Sequence, residues 1–231
     1  APLDAAGVLM IGHAHMGGFG SIEGVAAAKA EIVAGLRPDG TAILNADDAR
    51  AAAMAELAPA RVLTFSSQGR AADLRAENVV LDAAARAAFD LHLPGLDEPR
   101  RVQLAVAGAH NVANALAAAG LALAAGLAPE LIAERLGSVS IESPHRMDVS
   151  ELGGDLLLID DSYNANIDSM TAALAVLPAL AGDRRRVVVV SEMLELGESS
   201  AADHARTGEL AAQAGAAMLI GIGSTQEALE A

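Results

Sequence analysis

The single lysine of this chain lies where a primary amine could do chemistry. Lys29 lies in the segment HAHMGGFGSIEGVAAAKAEIV at residues 13–33. The other fourteen basic residues of the chain, counted as lysine plus arginine, are all arginines. A helix predicted over residues 22–36 places Lys29 on the apolar face. A lysine there could extend its charge to water past its aliphatic stem, but an arginine could do the same. The choice of lysine therefore suggests a need for an amine. A desolvated amine can act as a base, form a Schiff base or react with carbon dioxide to give a carbamate. The apolar residues predicted to share this face are Ile22, Val25, Ile32, Val33 and Leu36.

Polar side chains directly follow four of the short apolar runs. The runs are followed by His13 and His15, by NADD at 45–48, by DDSYNAN at 160–166 and by SEMLELGE at 191–198. Ligands of parallel sheets bind at the carboxyl ends of the strands, so we expect one cleft. The oxygens of a carbamate on Lys29 would suit Mg²⁺, and His15 is a candidate second ligand.

Three further groups are candidates for binding, although their spacing alone leaves the role open. Asn111 and Asn114 lie three apart near a helix start, where their amides could meet a purine edge or serve as a cap and a surface amide. Arg146, in SPHRM, could hold a phosphate or be an exposed loop arginine. Asp160 and Asp161 follow a buried run, so we expect at least one to point into the cleft.

The elements that must position these residues alternate in type, which is typical of an α/β fold with a largely parallel sheet. The sequence predicts two domains, 1–147 and 148–231, with a hinge over 138–147, a turn at RPDG (37–40), and short strands and loops over 61–107. Strands are predicted at 6–12, 41–45, 156–160, 186–191 and 217–223, and helices at 22–36, 111–127, 129–136, 168–181 and 203–214.

Composition excludes several classes of partner. The net charge of −15 argues against binding to nucleic acid or to an anionic membrane surface. There is no cysteine, no apolar run long enough for a membrane span, and no G-x-x-x-x-G-K-[ST] phosphate loop. We therefore expect neither nucleic acid nor membrane insertion.

These motifs together resemble the Mur ligase family, along almost the whole chain. The stretches AHMGGFGSIEGVAAAKAEIVAGL, GTAILNADD, GAHNVANALAA and SPHRM are similar to its central domain and domain junction. DDSYNAN and EMLELGE resemble the opening of its C-terminal domain, in the members that add D-alanyl-D-alanine to UDP-N-acetylmuramoyl-tripeptide.

The resemblance implies a central nucleotide-binding domain followed by a Rossmann-like domain, both incomplete here, and ATP-dependent amide bond formation in cell-wall peptidoglycan synthesis. It implies ATP and Mg²⁺ as cofactors, both small-molecule substrates as partners, and a monomeric cytoplasmic enzyme. The implied site residues are the carbamylated Lys29 and His15 on magnesium, Asn111 and Asn114 on the nucleotide, Arg146 on a phosphate, Asp161 near the ribose, and Asn164 and Asn166 near the incoming amine.

The sequence departs from the family at Leu9 and Met10 (usually Thr-Asn), at Ile167 (usually Pro) and at Ser191 (usually Gly). We expect the chain to be part of a longer protein and to be inactive alone, since the family's phosphate loop is absent from it. Two alternatives stay open: a sister ligase of the folylpolyglutamate or peptide-extending type, and a non-catalytic α/β module that binds nucleotide or acts in assembly.

Overall fold

The computed structural model of the chain describes residues 2–12, 19–140 and 143–223. These residues form two compact units, the first built mainly from Ser21–Asp82 and Arg86–Ser140 and the second mainly from residues 143–223. Strands alternate with helices in both units, so the predicted α/β fold class is confirmed.

The first unit contains a six-stranded sheet whose strand order follows the chain. The first four strands run parallel, and the last two are antiparallel to their neighbours. The sheet ends in a meander, because the last two strands turn back on their neighbours through the short connections at 82–85 and 93–99. The strands are β1 (Leu3–Val8), β2 (Leu36–Asn45), β3 (Arg61–Ser66), β4 (Leu74–Leu81), β5 (Arg86–His92) and β6 (Arg100–Ala107).

The helices of the first unit begin at residues whose chemistry favours a helix start. Ser21 caps α1 (Ile22–Ala34) by accepting a hydrogen bond from the Gly24 amide at 3.1 Å. Asp48 caps the short α2 (Ala49–Ala53), which continues into a 3-10 turn, Met54–Leu57. The other two helices are α3 (Asn111–Ala124) and α4 (Pro129–Leu136), the latter with proline in its first turn.

The core of the first unit lies where α3 and α4 pack on the sheet. Phe65, Phe89 and Leu116 are fully buried in this cluster with aliphatic residues of β3 to β6. At Gly120 a side-chain Cβ would stand 2.8 Å from Ile43 Cγ2, so the absence of a side chain brings α3 close to β2. This packing places the second half of α3 against β2.

Two predictions at the amino end of the sheet were wrong in detail. RPDG at 37–40 is part of β2 rather than a separate turn. It lies at an irregularity in the pairing with β1, since Leu36 pairs with Leu3 and Thr41 already pairs with Ala5. The predicted first strand, 6–12, is displaced to Leu3–Val8.

Over residues 143–223 the second unit contains two pairs of strands and two helices. The antiparallel pair is β7 (Asp148–Gly153) and β8 (Leu156–Asp160), and the parallel pair is β9 (Val187–Ser191) and β10 (Met218–Ile222). The helices are α5 (Ile167–Ala181) and α6 (Ser200–Gln213), with a 3-10 turn at Gly197–Ser199. β7 was not predicted, because its six residues are almost all exposed and carry no apolar alternation.

Across the described parts of the chain, no helix has both the length and the apolar character that a membrane crossing would need.

Candidate functional site

Asn45 and Asp48 tie the carboxyl end of β2 to the residues that follow β1. The Asn45 amide donates to the Leu9 carbonyl at 2.7 Å, and the Ile11 amide donates to the Asp48 carboxylate at 2.6 Å. The same carboxylate accepts from two amides at the start of α2. These two polar residues therefore shape the edge of the sheet.

Asp47 makes a second link, between the ends of β2 and β3. Its side chain is 5% exposed and accepts from the Ser66 hydroxyl at 2.7 Å and from the Ser67 amide at 2.8 Å. Arg70 stands 3.8 Å from the same carboxylate. Ser66 and Ser67 were not among the predicted site residues, although their place at the end of a buried strand and directly after it was a usable signal.

Lys29 lies at this edge of the first unit, half-buried on α1 between the buried Val25 and Val33. Its ammonium nitrogen Nζ donates a hydrogen bond of 2.8 Å to the Met10 carbonyl. Ile32 was wrongly assigned to the same apolar face, since it is 42% exposed. The lysine thus reaches the end of β1 through a contact with the backbone.

The two departures after β1 leave these contacts intact. Leu9 and Met10 accept through their carbonyl oxygens, which any residue would supply. The contacts of Asn45 and Lys29 therefore do not depend on the family's usual Thr-Asn pair.

Of the two predicted metal ligands, His15 lies outside the described residues, as does His13. Within the described residues no group of three or more histidine, cysteine, aspartate or glutamate side chains could hold a metal ion. An unmodified lysine donates hydrogen bonds and does not suit Mg²⁺, which prefers oxygen. A carbamate on Lys29 would suit the ion chemically, because it keeps one N–H that can donate to a carbonyl such as that of Met10 and adds two oxygens.

Asn111 and Asn114 contact each other at the start of α3. The Asn114 amide donates to the Asn111 side-chain oxygen at 2.9 Å, and the Asn111 amide donates to the Ala107 carbonyl at 2.7 Å. Asn114 is exposed and Asn111 is half-buried. The predicted shared face is present, and the pair joins the end of β6 to α3.

Arg146 stacks on an aromatic ring in the second unit. Its guanidinium carbon lies 4.0 Å from the centre of the Tyr163 ring, in cation–π geometry. Both side chains are exposed. An arginine in such a contact can lie with one face on the ring while its in-plane N–H groups donate to an anion.

The backbone around Arg146 is bonded to the segment that follows β8. The Tyr163 amide donates to the His145 carbonyl at 3.0 Å, and the Met147 amide donates to the Asp161 carboxylate at 2.9 Å. His145 and Met147 both have positive φ, at 63° and 49°, which is unfavourable for side-chain-bearing residues. We call residues 145–147 with 160–163 the clasp, since these bonds hold the strained segment.

Hydrogen bonds within the clasp lower the pKa of the Asp160 carboxyl. Its carboxylate lies 2.7 Å from His145 Nδ1 and accepts from the Ser162 hydroxyl at 2.7 Å. The hydrogen bond from His145, followed by those from Ser162, lowers the pKa of Asp160 to about 2. Asp160 is therefore ionised at neutral pH and serves to hold the clasp.

Asn164 and Asn166 have local structural contacts. The Asn164 side-chain oxygen accepts from the Ala165 amide at 2.9 Å. Asn166 is the N-cap of α5, where it accepts from the Ser169 amide while the Ser169 hydroxyl accepts from the Asn166 amide. Ile167 therefore stands at the first helical position, where the family's proline would also be favourable.

The loop after β9 is held by the buried His204 of α6. Its Nε2 accepts from the Met193 amide at 3.0 Å, and its Nδ1 lies 2.8 Å from the Ser200 carbonyl. An amide only donates and a carbonyl only accepts, so the imidazole is neutral with its proton on Nδ1. Ser191, at the end of β9, does not have the positive φ that would require glycine.

The four polar groups predicted to share one cleft are distributed between the two units. NADD lies in the first unit and the segments after β8 and β9 lie in the second, while His13 and His15 are outside the described residues. A cavity of about 790 Å³ in the second unit is lined by β8, β9 and α5, and Asp161 and Asn164 are among its lining residues. That all four groups act in one cleft stays a prediction.

Comparisons with known proteins assign both parts of the chain to one family. Residues 1–122 match the Mur ligase middle domain, and residues 145–231 match the Mur ligase glutamate ligase domain. The chain is 42% identical over 228 residues to the UDP-N-acetylmuramoyl-tripeptide–D-alanyl-D-alanine ligase of Mycobacterium tuberculosis H37Rv, covering 97% of this chain and 44% of that protein. It is 39% identical to the ligase of the same name from Escherichia coli K12, over 98% of this chain and 49% of that protein.

The fold is also shared with a solved structure. The crystal structure of MurF from Acinetobacter baumannii matches with a TM-score of 0.86 at 36% identity, covering 98% of this chain and 48% of that one. The chain therefore spans about half the length of the relatives that it matches.

Proposed function

The chain belongs to the Mur ligase family, and from that premise we propose that the complete protein joins D-alanyl-D-alanine to UDP-N-acetylmuramoyl-tripeptide at the expense of ATP. The observation that carries this proposal is the 42% identity along 97% of the chain to a ligase with that name. The consecutive matches to a middle and a glutamate ligase domain support it. The reaction would serve peptidoglycan synthesis in the cytoplasm, and we expect a monomer.

The proposed chemistry forms an amide through an acyl phosphate. The terminal carboxylate of the tripeptide takes the γ-phosphoryl group of ATP, and the amine of D-alanyl-D-alanine then displaces phosphate. Arg146 would stabilise charge on the phosphoryl group, because its N–H groups lie in the guanidinium plane and the stack on Tyr163 uses a face of that plane. Within the described residues, no carboxylate is within ion-pair distance of Arg146.

The nucleotide and the amine are assigned to residues near the starts of helices. Asn111 and Asn114 would contact the purine. Their side chains are hydrogen-bonded to each other at the start of α3, and that of Asn114 is exposed, so its amide could also reach the edge of a base. Asp161 would lie near the ribose. Asn164 and Asn166 would lie near the incoming amine, and the capping role of Asn166 leaves its side-chain NH₂ group as the part that could serve a substrate.

Lys29 is proposed as the site of a carbamate that holds Mg²⁺ together with His15. The amine of Lys29 would add to carbon dioxide with loss of one proton, giving an anionic group near the end of β1. When bound, Mg²⁺ supplies neutralisation of the crowded phosphate oxygens. The role of this chain is to fix the amine, which the bond to the Met10 carbonyl does.

A substrate panel on the full-length protein tests the proposed reaction. Phosphate release is measured with UDP-N-acetylmuramoyl-tripeptide and ATP, adding in turn D-alanyl-D-alanine, D-glutamate, and a folate with L-glutamate. We expect release only with D-alanyl-D-alanine. Release with another acceptor alone would assign the protein to a sister ligase, and no release with any acceptor, combined with nucleotide binding by calorimetry, would support a non-catalytic module.

A further inference from the structure

We propose that Tyr163 is a positioning residue for Arg146, holding its guanidinium in the orientation that meets the transferring phosphoryl group. This inference rests on the proposed phosphate role of Arg146. It adds a residue that the sequence analysis did not single out, although Tyr163 is the only tyrosine in a chain without tryptophan.

The first support is the isolation of the contact. The Tyr163 ring lies 4.0 Å from the Arg146 guanidinium carbon, and no other part of the described chain forms a hydrogen bond or ion pair with that guanidinium. An arginine side chain has several rotatable bonds, so an exposed one samples many orientations. The ring is then the contact that limits these orientations.

The second support is that the backbone carrying the ring is fixed. The Tyr163 amide is bonded to the His145 carbonyl, and Asp160 is bonded to the His145 imidazole and to Ser162. The backbone of both partners is thereby held on each side of the stack. A guanidinium with its face on such a ring keeps its N–H edges free for two oxygens of a phosphoryl group.

The third support is that the tyrosine hydroxyl makes no contact with the described chain. It has no hydrogen-bond partner among the described residues, and the side chain is 60% exposed. The aromatic face is therefore the property in use, and phenylalanine supplies the same face. This gives the inference a conservative variant that leaves the contact in place.

The test is a kinetic double-mutant cycle in the full-length enzyme, with Tyr163→Leu, Tyr163→Phe, Arg146→Ala and the double variant Arg146→Ala/Tyr163→Leu. We expect Tyr163→Leu to lower kcat about fivefold, the size of an exposed cation–π contact, with the KM for D-alanyl-D-alanine unchanged. Tyr163→Phe should stay within about twofold of the parent, since its ring has a comparable face. In the Arg146→Ala background, Tyr163→Leu should have no further effect.

The outcomes separate this inference from the function on which it rests. If Tyr163→Leu lowers kcat equally with and without Arg146, or if Tyr163→Phe is as slow as Tyr163→Leu, the positioning role is wrong while the ligase function stands. If Arg146→Ala leaves kcat unchanged, the phosphate role of Arg146 is wrong and the inference falls with it. Thermal unfolding of each variant is the control, because a purely structural loss would lower Tm and would persist in the Arg146→Ala background.

Discussion

Lys29 is the residue on which the proposed chemistry depends most, and replacing it tests whether an amine is required. Lys29→Arg keeps the charge and the long stem but cannot form a carbamate. We expect it to lower the kcat of the full-length enzyme about 100-fold or more, as loss of one preorganised electrostatic group does. Phosphate release with D-alanyl-D-alanine is the measurement.

A matched pair of variants controls that experiment. Lys29→Ala should regain part of its rate with a short added carboxylate, which can occupy the place of the carbamate. Arg50→Lys changes an exposed cation paired with Glu23 and should leave kcat unaltered. An active Lys29→Arg enzyme would contradict the carbamate role.

Asp160 gives a prediction with a definite pH range. Its pKa is lowered to about 2 in the folded protein by the hydrogen bonds from His145 and Ser162, from an ordinary value of 3.8. A carboxyl with a depressed folded pKa stabilises above its unfolded pKa and loses that contribution as pH falls towards the folded value. Asp160→Asn should therefore lower the urea midpoint at pH 6, with the difference disappearing as pH approaches 2.

The control for this titration is Asp183→Asn, an exposed carboxyl outside the clasp. Its urea midpoint should run parallel to that of the parent across the same range. A constant difference between Asp160→Asn and the parent from pH 6 to pH 2 would show that the hydrogen bonds from His145 and Ser162 do not stabilise the ionised form.

At the scale of elements, variants of Asn166 at the start of α5 can distinguish its capping role from a role in substrate binding. The side-chain oxygen caps the helix, so Asn166→Ala should cost about 1 kcal/mol of unfolding free energy. Asn166→Ser keeps a capping oxygen and removes the side-chain NH₂ group. It should match the parent in chemical unfolding yet raise the KM for D-alanyl-D-alanine if that NH₂ group donates to an oxygen of the incoming D-alanyl-D-alanine.

Asn166→Ala unfolding like the parent would contradict the cap, whereas Asn166→Ser with unchanged kinetics would remove Asn166 from the proposed substrate contacts. The two measurements are independent, because stability is read without substrate.

Elements with strong local signals were predictable, and those set by pairing were not. Ser21 before an apolar helix pattern and Pro129 at a helix start gave α1 and α4. β7 was missed, since its exposed residues carry no periodicity and it exists through pairing with β8. The direction of β5 and β6 was also left open, since it is set by their pairing within the sheet rather than by a local pattern.

At the scale of the whole molecule, the 231-residue chain should not turn over by itself. It contains no G-x-x-x-x-G-K-[ST] phosphate loop, and it corresponds to 44% of a curated relative. We expect no phosphate release from the chain under conditions in which the full-length protein is active. Turnover by the chain alone would show that its own residues suffice to cradle the phosphates.

The sequence by itself determined the family, the α/β class and the identity of the isolated lysine, because motifs and apolar periodicity are local properties of the chain. Only the tertiary structure decided what each polar residue touches. Asn45 bonds the Leu9 carbonyl 36 residues away, and Tyr163 lies under Arg146. A linear pattern shows which groups could interact, but the distance between two remote side chains is set by how their segments pack.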